Sequence, residues 1–342
     1  MATINDVCKA TGYSKATVSR VLNGTGQVKA ATRDAVLAAM QTLGYQPNAL
    51  AQALATNTSN TIGLILPHFQ SSYFGSILHH AEQSTQRDNK KLLVVNSRNT
   101  ADGEREAVAT LASQRCDAIL LYSRHLSLAD LAALQQSVLP PLIILNRQSE
   151  DSTLHSFGLD QRQLAEIAMQ HLLDLGHRNI ACITSPLASE TGQIRYAVYR
   201  KMLEQQRISI QPGWVYKGTN TLASGYQAVE QLLGSQQSFS AIFACNDDMA
   251  IGAIRALHDH SLRVPQDISV MGIDNEPAAA YAIPSLTTVS LPIVRLTQDA
   301  MTLAIALANK QSVQTHHQTY TGELVLREST QALASETRHT ES

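Results

Sequence analysis

The chain is sparing with charge, aromatics and cysteine: charged residues fill 16% of its 342 positions and aromatic residues 5%. These scarcities do not indicate disorder, because hydrophobic residues reach 44% and supply enough apolar surface for a core. No stretch approaches the roughly 18 consecutive apolar residues of a membrane helix. The longest runs, such as Leu92 to Val95, have the length of buried strands. The first dozen residues, with Asn5, Asp6 and Lys9 among them, contain no hydrophobic leader core, so the expected compartment is the cytoplasm. Cys8, Cys116, Cys182 and Cys245 stand far apart without a CxxC pair, which argues for four buried thiols over a disulfide framework or a zinc site. Enzyme signatures are also missing. There is no G-x-S-x-G elbow and no P-loop, and the dinucleotide fingerprint begun by Gly24-Thr25-Gly26 fails at Lys29. The pairs His79-His80 and His316-His317, and His258 with His260, lack metalloprotease spacing and read as exposed helix and loop residues. No catalysis, cofactor or metal is expected.

What charge there is lies unevenly. The net formal charge of −2 conceals a head, residues 1–60, with Lys9, Lys15, Arg20, Lys29 and Arg33 against Asp6 and Asp34, a balance of +3. The remainder then carries −5. A basic head on an acidic body suits a head that meets an anion. Within it, Thr3 precedes Ile4, Val7 and Cys8 at helical spacing, with Asp6 placed for a capping box. Gly12-Tyr13 interrupts, and Ser14 can cap a second helix whose inward stripe is Val18, Val21 and Leu22. A third helix carries Val36, Ala39, Met40 and Leu43 and ends at Gly44. Two short helices joined by a tight turn, with a third across them, form the helix-turn-helix plan, in which a helix reads base edges in the major groove. Arg20 suits a bidentate contact to guanine, and the amides near Ser14 and Thr17 suit a phosphate. Pattern alone leaves a plain three-helix bundle with a solvated face equally open.

The run SKATVSRVLNGTGQVKAATRDAVLAAMQTLGYQPNALAQALA, Ser14 to Ala55, resembles the headpiece and hinge of the lac/gal repressor family. TVSRVLN, LGYxPN and ALAxxLA together make this motif very specific. The resemblance implies base reading by Lys15, Ala16 and Arg20, and phosphate or framework roles for Thr17, Ser19 and Asn23. It implies that Ala49 to Ala55 is a hinge helix pairing with its dimer mate in the minor groove, with Leu54 wedged between base steps. That segment is too short to persist alone in water, so it is expected to fold on DNA. Lys29 departs from the usual capping serine, which predicts an uncapped third helix.

From Ile62 onward, short apolar runs alternate with helical stretches: TIGLILP, KKLLVVNS, CDAILLYS, PLIILNR, NIACITS, SAIFACND, ISVMGID and LTTVSLP. Such runs suit parallel sheets covered on both faces, and some 270 residues exceed one comfortable core, so two α/β lobes are expected. Ligands bind beyond the carboxyl ends of such strands, which singles out Asn146 and Arg147, Asn246 and Asp247, Asp274 and Asn275, and also Arg195. Amides, carboxylates and a guanidinium converging on a cleft suit the paired hydroxyls of a sugar.

CNDDMAIGAIRAL, VPQDISVMGID and LVLREST resemble the same family's periplasmic-binding-protein-like effector domain, so the likeness spans nearly the whole chain. It implies effector contacts for Tyr73, Phe74, Asn146, Arg195, Asn246 and Asp274, with Tyr73 or Phe74 stacking on a sugar face. Asn220 replaces an aromatic that many sugar-responsive members carry, and Ala197-Val198 departs from the usual Gly-containing pattern, which predicts a shift of the helix bearing Arg195. QRCDAILLYSRHLSLADL most resembles asc-type repressors of aryl- and β-glucoside operons. The expected organisation is a helix-turn-helix domain at 1–46, a hinge and linker at 47–60, a two-lobed effector-binding and dimerisation domain at 61–328, and a polar tail at 329–342. The implied partners are a pseudo-palindromic double-stranded operator, a second copy of the chain in a homodimer, and a small-molecule sugar or β-glucoside acting as inducer. A purine-type corepressor is the alternative. The tail lacks leucine heptads, so no coiled-coil tetramer is expected.

Overall fold

The computed structural model describes residues 2–23, 26–46, 58–149, 151 and 153–333, and the side chain of Asn23 is not among the described parts. The expected hinge helix, with Leu54, lies outside them.

The headpiece is three helices, Ile4–Thr11, Lys15–Asn23 and Ala30–Leu43. The Thr3 amide and hydroxyl both donate to Asp6, at 2.9 and 2.8 Å, and these bonds hold the Asp6 carboxyl below its usual range. Gly12 and Gly44 close the first and third helices in the left-handed region, which glycine enters without a Cβ penalty. Ser14 caps the second helix by accepting the Thr17 amide at 3.2 Å. Lys29 gives the third helix no side-chain cap. Val7, Val18 and Val36 are fully buried at the point where the three helices meet, with Ile4, Cys8, Val21, Leu22, Ala39 and Met40 around them. Leu43, expected on the inward stripe, is 38% exposed instead, because the helix ends there, beyond the Met40 contact.

The body contains strands β1 (Thr61–Leu66), β2 (Lys91–Asn96), β3 (Ala118–Tyr122), β4 (Leu142–Leu145), β5 (His155–Leu159), β6 (Ile180–Thr184), β7 (Val215–Lys217), β8 (Ala241–Ala244), β9 (Ser269–Met271), β10 (Thr288–Ser290), β11 (His317–Tyr320) and β12 (Glu323–Val325). The first lobe is a parallel sheet in the order β11-β5-β4-β3-β1-β2. Both faces are covered, as its unbroken apolar runs require. Leu64, Leu66 and Leu120 join one buried cluster, while Ile65, Ile119 and Leu121 join another on the opposite face. The second lobe is a parallel sheet in the order β7-β6-β8-β9, with helices Gln161–Asp174, Glu190–Gln205, Leu222–Gly234 and Asp247–Asp259. The last two helices approach closely. A Cβ on Gly225 would stand 2.0 Å from the Met249 carbonyl oxygen, and one on Gly252 2.0 Å from that of Leu222. Any larger side chain would push these helices apart.

The chain passes between the lobes after β5, after β10 and between β11 and β12. LTTVSLP, expected in a parallel sheet, instead supplies β10 of an antiparallel pair with β12 at this crossing. The segment after Glu328, expected to be a polar tail, is partly built into the second lobe. Ser329 is fully buried and donates to the Val270 carbonyl, and His177, only 2% exposed, contacts Ser240, Ser269 and the Gln331 carbonyl. Hydroxyls and a histidine satisfy one another there, so polar composition does not prevent burial. Cys116, Cys182 and Cys245 are buried and Cys8 is half-buried. Among the described residues no helix is long and apolar enough to cross a membrane.

Candidate functional site: an interlobe cleft and an exposed helix face

A cleft of about 650 Å³, its open mouth included, lies between the lobes at the carboxyl ends of the strands. Loops after successive strands line it: His68 after β1, Arg124 after β3, Asn146 after β4, Ser185 after β6, Asn220 after β7, Asn246 after β8 and Asp274 after β9. The six effector contacts that the resemblance implies, Tyr73, Phe74, Asn146, Arg195, Asn246 and Asp274, all line this one space, whereas Arg147, Asp247 and Asn275, singled out beside them, are not among its lining residues.

Arg195 is its centre. The helix Glu190–Gln205 runs unbroken through Ala197-Val198 and buries Arg195 to 4% exposure. Its Nε donates to Gln161 Oε1 at 3.0 Å, its Nη1 donates to the Cys245 carbonyl, and its Nη2 stands 3.8 Å from Asp274 Oδ1. Gln161, which sequence reasoning missed, donates onward to Asn146 Oδ1 at 3.4 Å and so links Arg195 to the opposite lobe. Burial drives the Asp274 carboxyl well above its ordinary range, against the pull of Arg195. Asn246 caps the helix Asp247–Asp259 by accepting the Met249 amide at 3.1 Å, which fixes its rotamer. Asp247 is wholly buried. It accepts Thr288 Oγ1 at 2.6 Å and the Glu276 amide at 2.8 Å, and burial still raises it to about 6. Asp247 therefore braces the loop that carries Asp274, while Asp248 lines the cleft.

The aromatic wall comes from the first lobe alone. Phe74 meets His68, Tyr73 and Tyr122 edge-on at 4.7, 5.2 and 5.0 Å. Phe74 is only 2% exposed, and Arg124 sits over its ring at 5.3 Å, so Tyr73 is the better placed of the two for stacking. Asn220 lines the cleft with a left-handed φ of 60°, and its Oδ1 is buried with no hydrogen-bond partner among the described residues. Across the cleft, Arg147 Nε meets Glu190 Oε2 at 2.7 Å, joining the two lobes. Glu276, raised by burial to about 7, faces the Ser72 hydroxyl and the Tyr73 amide of the first lobe, which act against that rise.

On the headpiece, Lys15, Ala16 and Arg20 are exposed on the helix Lys15–Asn23, while Val18 is buried on its other side. Thr17 and Ser19 are half-buried, and the Thr17 hydroxyl is engaged with Ser14 Oγ at 3.0 Å. The helix therefore presents two cations and a small side chain outward.

The model of bacterial regulatory proteins of the lacI family matches residues 3–48, and that of a periplasmic binding protein-like domain matches residues 169–330. The HTH-type transcriptional regulator AscG of Escherichia coli (strain K12) is 36% identical over 331 residues, covering 96% of this chain and 98% of its own. This chain belongs to the lacI family of bacterial regulatory proteins. The HTH-type transcriptional repressor PurR of Haemophilus influenzae (strain PittEE) is 33% identical over 340 residues, covering 97% and 100% of the two chains. Among solved structures, the lac repressor dimer bound to operator and the anti-inducer ONPF superposes with a TM-score of 0.86 at 30% identity, covering 97% of this chain and 99% of that one. As a lacI-family member, the chain joins a DNA-binding headpiece to an effector-binding body.

Proposed function

We propose that this protein is a homodimeric, cytoplasmic transcriptional repressor that releases a pseudo-palindromic operator when a sugar, a β-glucoside foremost, occupies the cleft. The observation that carries this reading is the union, in one chain, of an outward cationic helix and a cleft whose donors and acceptors converge from both lobes. In this reading Lys15, Ala16 and Arg20 read bases, Thr17, Ser19 and Asn23 set the headpiece on the backbone, and Leu54 kinks the operator. Asn146, Arg195, Asn246 and Asp274 hold sugar hydroxyls against Tyr73 and Phe74. Hydroxyls both donate and accept, which matches a wall where Asp274 accepts and Arg195 donates. Sugar bound to both lobes alters their separation, and the hinge segments transmit that change to the DNA. A coupling of about 1 to 3 kcal/mol, roughly 5- to 150-fold in operator affinity, is enough for control.

The protein performs regulation without chemistry in this proposal. A thermal-shift screen of the full-length protein against glucosides, galactosides and purines tests it. Stabilisation by a sugar that also weakens operator binding is the expected result. Stabilisation by a purine alone, with operator binding strengthened, would replace the inducer by a corepressor.

A further inference from the structure

The two walls of the cleft differ in charge. The second-lobe wall carries Asp248, Asp274 and Glu276 around Arg195. The first-lobe wall has one cation, Arg124, and no carboxylate pairs with it among the described residues. His68 beside it is pushed below the usual histidine range by burial and by Arg124, and is therefore neutral at pH 7. The other first-lobe guanidinium near the cleft, Arg147, is already committed to Glu190.

Arg124 is held in place from below. Glu104, fully buried, accepts Ser123 Oγ and the amide of Arg124 at 2.8 Å each, the amide of His125 at 3.1 Å and that of Leu126 at 3.4 Å. Four donors on one carboxylate fix the loop after β3, and the guanidinium rests over Phe74 at 5.3 Å and Tyr122 at 5.6 Å. Burying a carboxylate is costly unless hydrogen bonds replace its hydration, and these four donors do so while holding the loop's shape. Here that shape sets an unneutralised guanidinium at the ligand-facing end of an otherwise aromatic wall. A neutral sugar leaves that charge without a counter-ion, whereas an anionic oxygen placed there gains charge-assisted, bidentate hydrogen bonds.

We propose that the first-lobe end of the cleft recognises an anionic oxygen group on the effector, a phosphate or a carboxylate on the sugar, through Arg124 as the specificity-determining residue and Glu104 as its positioning residue. This rests on the sugar reading above, with the glycone hydroxyls on the second-lobe wall. The test is isothermal titration of the full-length protein with two matched series: glucose, glucose 6-phosphate and glucuronate, and galactose, galactose 6-phosphate and galacturonate. At least one anionic sugar should bind roughly tenfold or more tighter than its neutral parent. Preference for the phosphate over the uronate, or the reverse, identifies the group. Arg124→Gln should weaken the anionic ligand at least tenfold more than the neutral one, and Arg124→Lys should restore part of that difference. Glu104→Gln should weaken the anionic preference without abolishing neutral binding. Neutral sugars binding as tightly as anionic ones, or Arg124→Gln weakening both by the same factor, would overturn the assignment while leaving the sugar reading intact. Silence across both series would overturn the assignment, and the sugar reading falls with it if the glucosides and galactosides of the thermal-shift screen are silent as well.

Discussion

Replacing Asp274 by Asn separates sensing from DNA binding. The Asp274 side chain is 14% exposed and lies 3.8 Å from the Arg195 guanidinium at the centre of the cleft. A carboxylate that accepts two sugar hydroxyls contributes roughly 1.5 to 3 kcal/mol per bond, against about 0.5 to 1.5 for a neutral amide oxygen, and asparagine has only one such oxygen. The net loss is about 2.5 to 4.5 kcal/mol, or roughly 70- to 2,000-fold in sugar Kd. The fold should survive, because Arg195 keeps Gln161 and the Cys245 carbonyl as acceptors. Burial sets the folded pKa of Asp274 well above the ordinary value of 3.8, so its contribution to stability is complete only below that value and is lost as pH rises toward the folded one. At pH 7 the amide is relieved of that penalty, so D274N should not unfold markedly before the parent. The assays are titration calorimetry with a sugar that the parent binds and fluorescence anisotropy on operator duplex. A variant that binds the sugar within threefold of the parent would remove Asp274 from the site, and one that also loses the operator would indicate global damage.

Arg20→Ala should cost about 1 to 3 kcal/mol of discrimination between operator and mismatched duplex while leaving sugar binding intact, as read by anisotropy and calorimetry on the same sample. Arg147→Ala and Glu190→Gln each open the pair that joins the lobes. Its side chains are 10% and 50% exposed, so its coupling in a double-mutant cycle of sugar affinity should not exceed about 1 kcal/mol, and additive variants would show that the pair does not act in closure. Glu276 has a folded pKa of about 7 against an ordinary 4.5, so apo-protein stability should fall as pH rises between those values. Melting curves at pH 5 and 7.5 should show that slope in the parent and a flatter one in Glu276→Gln, whereas equal slopes would place the titration elsewhere.

Much of this architecture was legible because strong local signals agreed with the tertiary outcome. The caps at Thr3 and Ser14, the left-handed Gly12 and Gly44 and the valine stripes define the headpiece without reference to the body. The eight apolar runs all became strands, seven of them in the two parallel sheets, where burial on both faces demands such runs. Of the strands missed, β7 and β11 lie at sheet edges and β12 pairs at the crossing, while β5, though interior and buried, reads His-Ser-Phe-Gly-Leu without an unbroken apolar run. Their identity comes from long-range pairing, which no local pattern carries. In the cleft, residues directly after strong strands were accessible to reasoning. Gln161, Asp248 and Glu276 were not, because each sits in a helix start or loop whose position depends on how two lobes meet. Arg124 had the same signal as Asn146, a polar residue just past an apolar run, and that rule applied to CDAILLYS would have found it. Glu104 had none: a charged residue inside a helix gives no local sign that it is fully buried.

The central claim is that one molecule reads DNA sequence with its headpiece and answers to a metabolite with its body. The most direct measurement is anisotropy of the full-length protein on a selected pseudo-palindromic duplex and on the same duplex with its letters shuffled, each with and without the sugar that stabilises the protein. The account predicts a preference of about a thousandfold or more for the selected duplex, reduced by roughly 5- to 150-fold when the sugar is present. Equal affinity for both duplexes, or a preference unmoved by any ligand that binds the cleft, would contradict it.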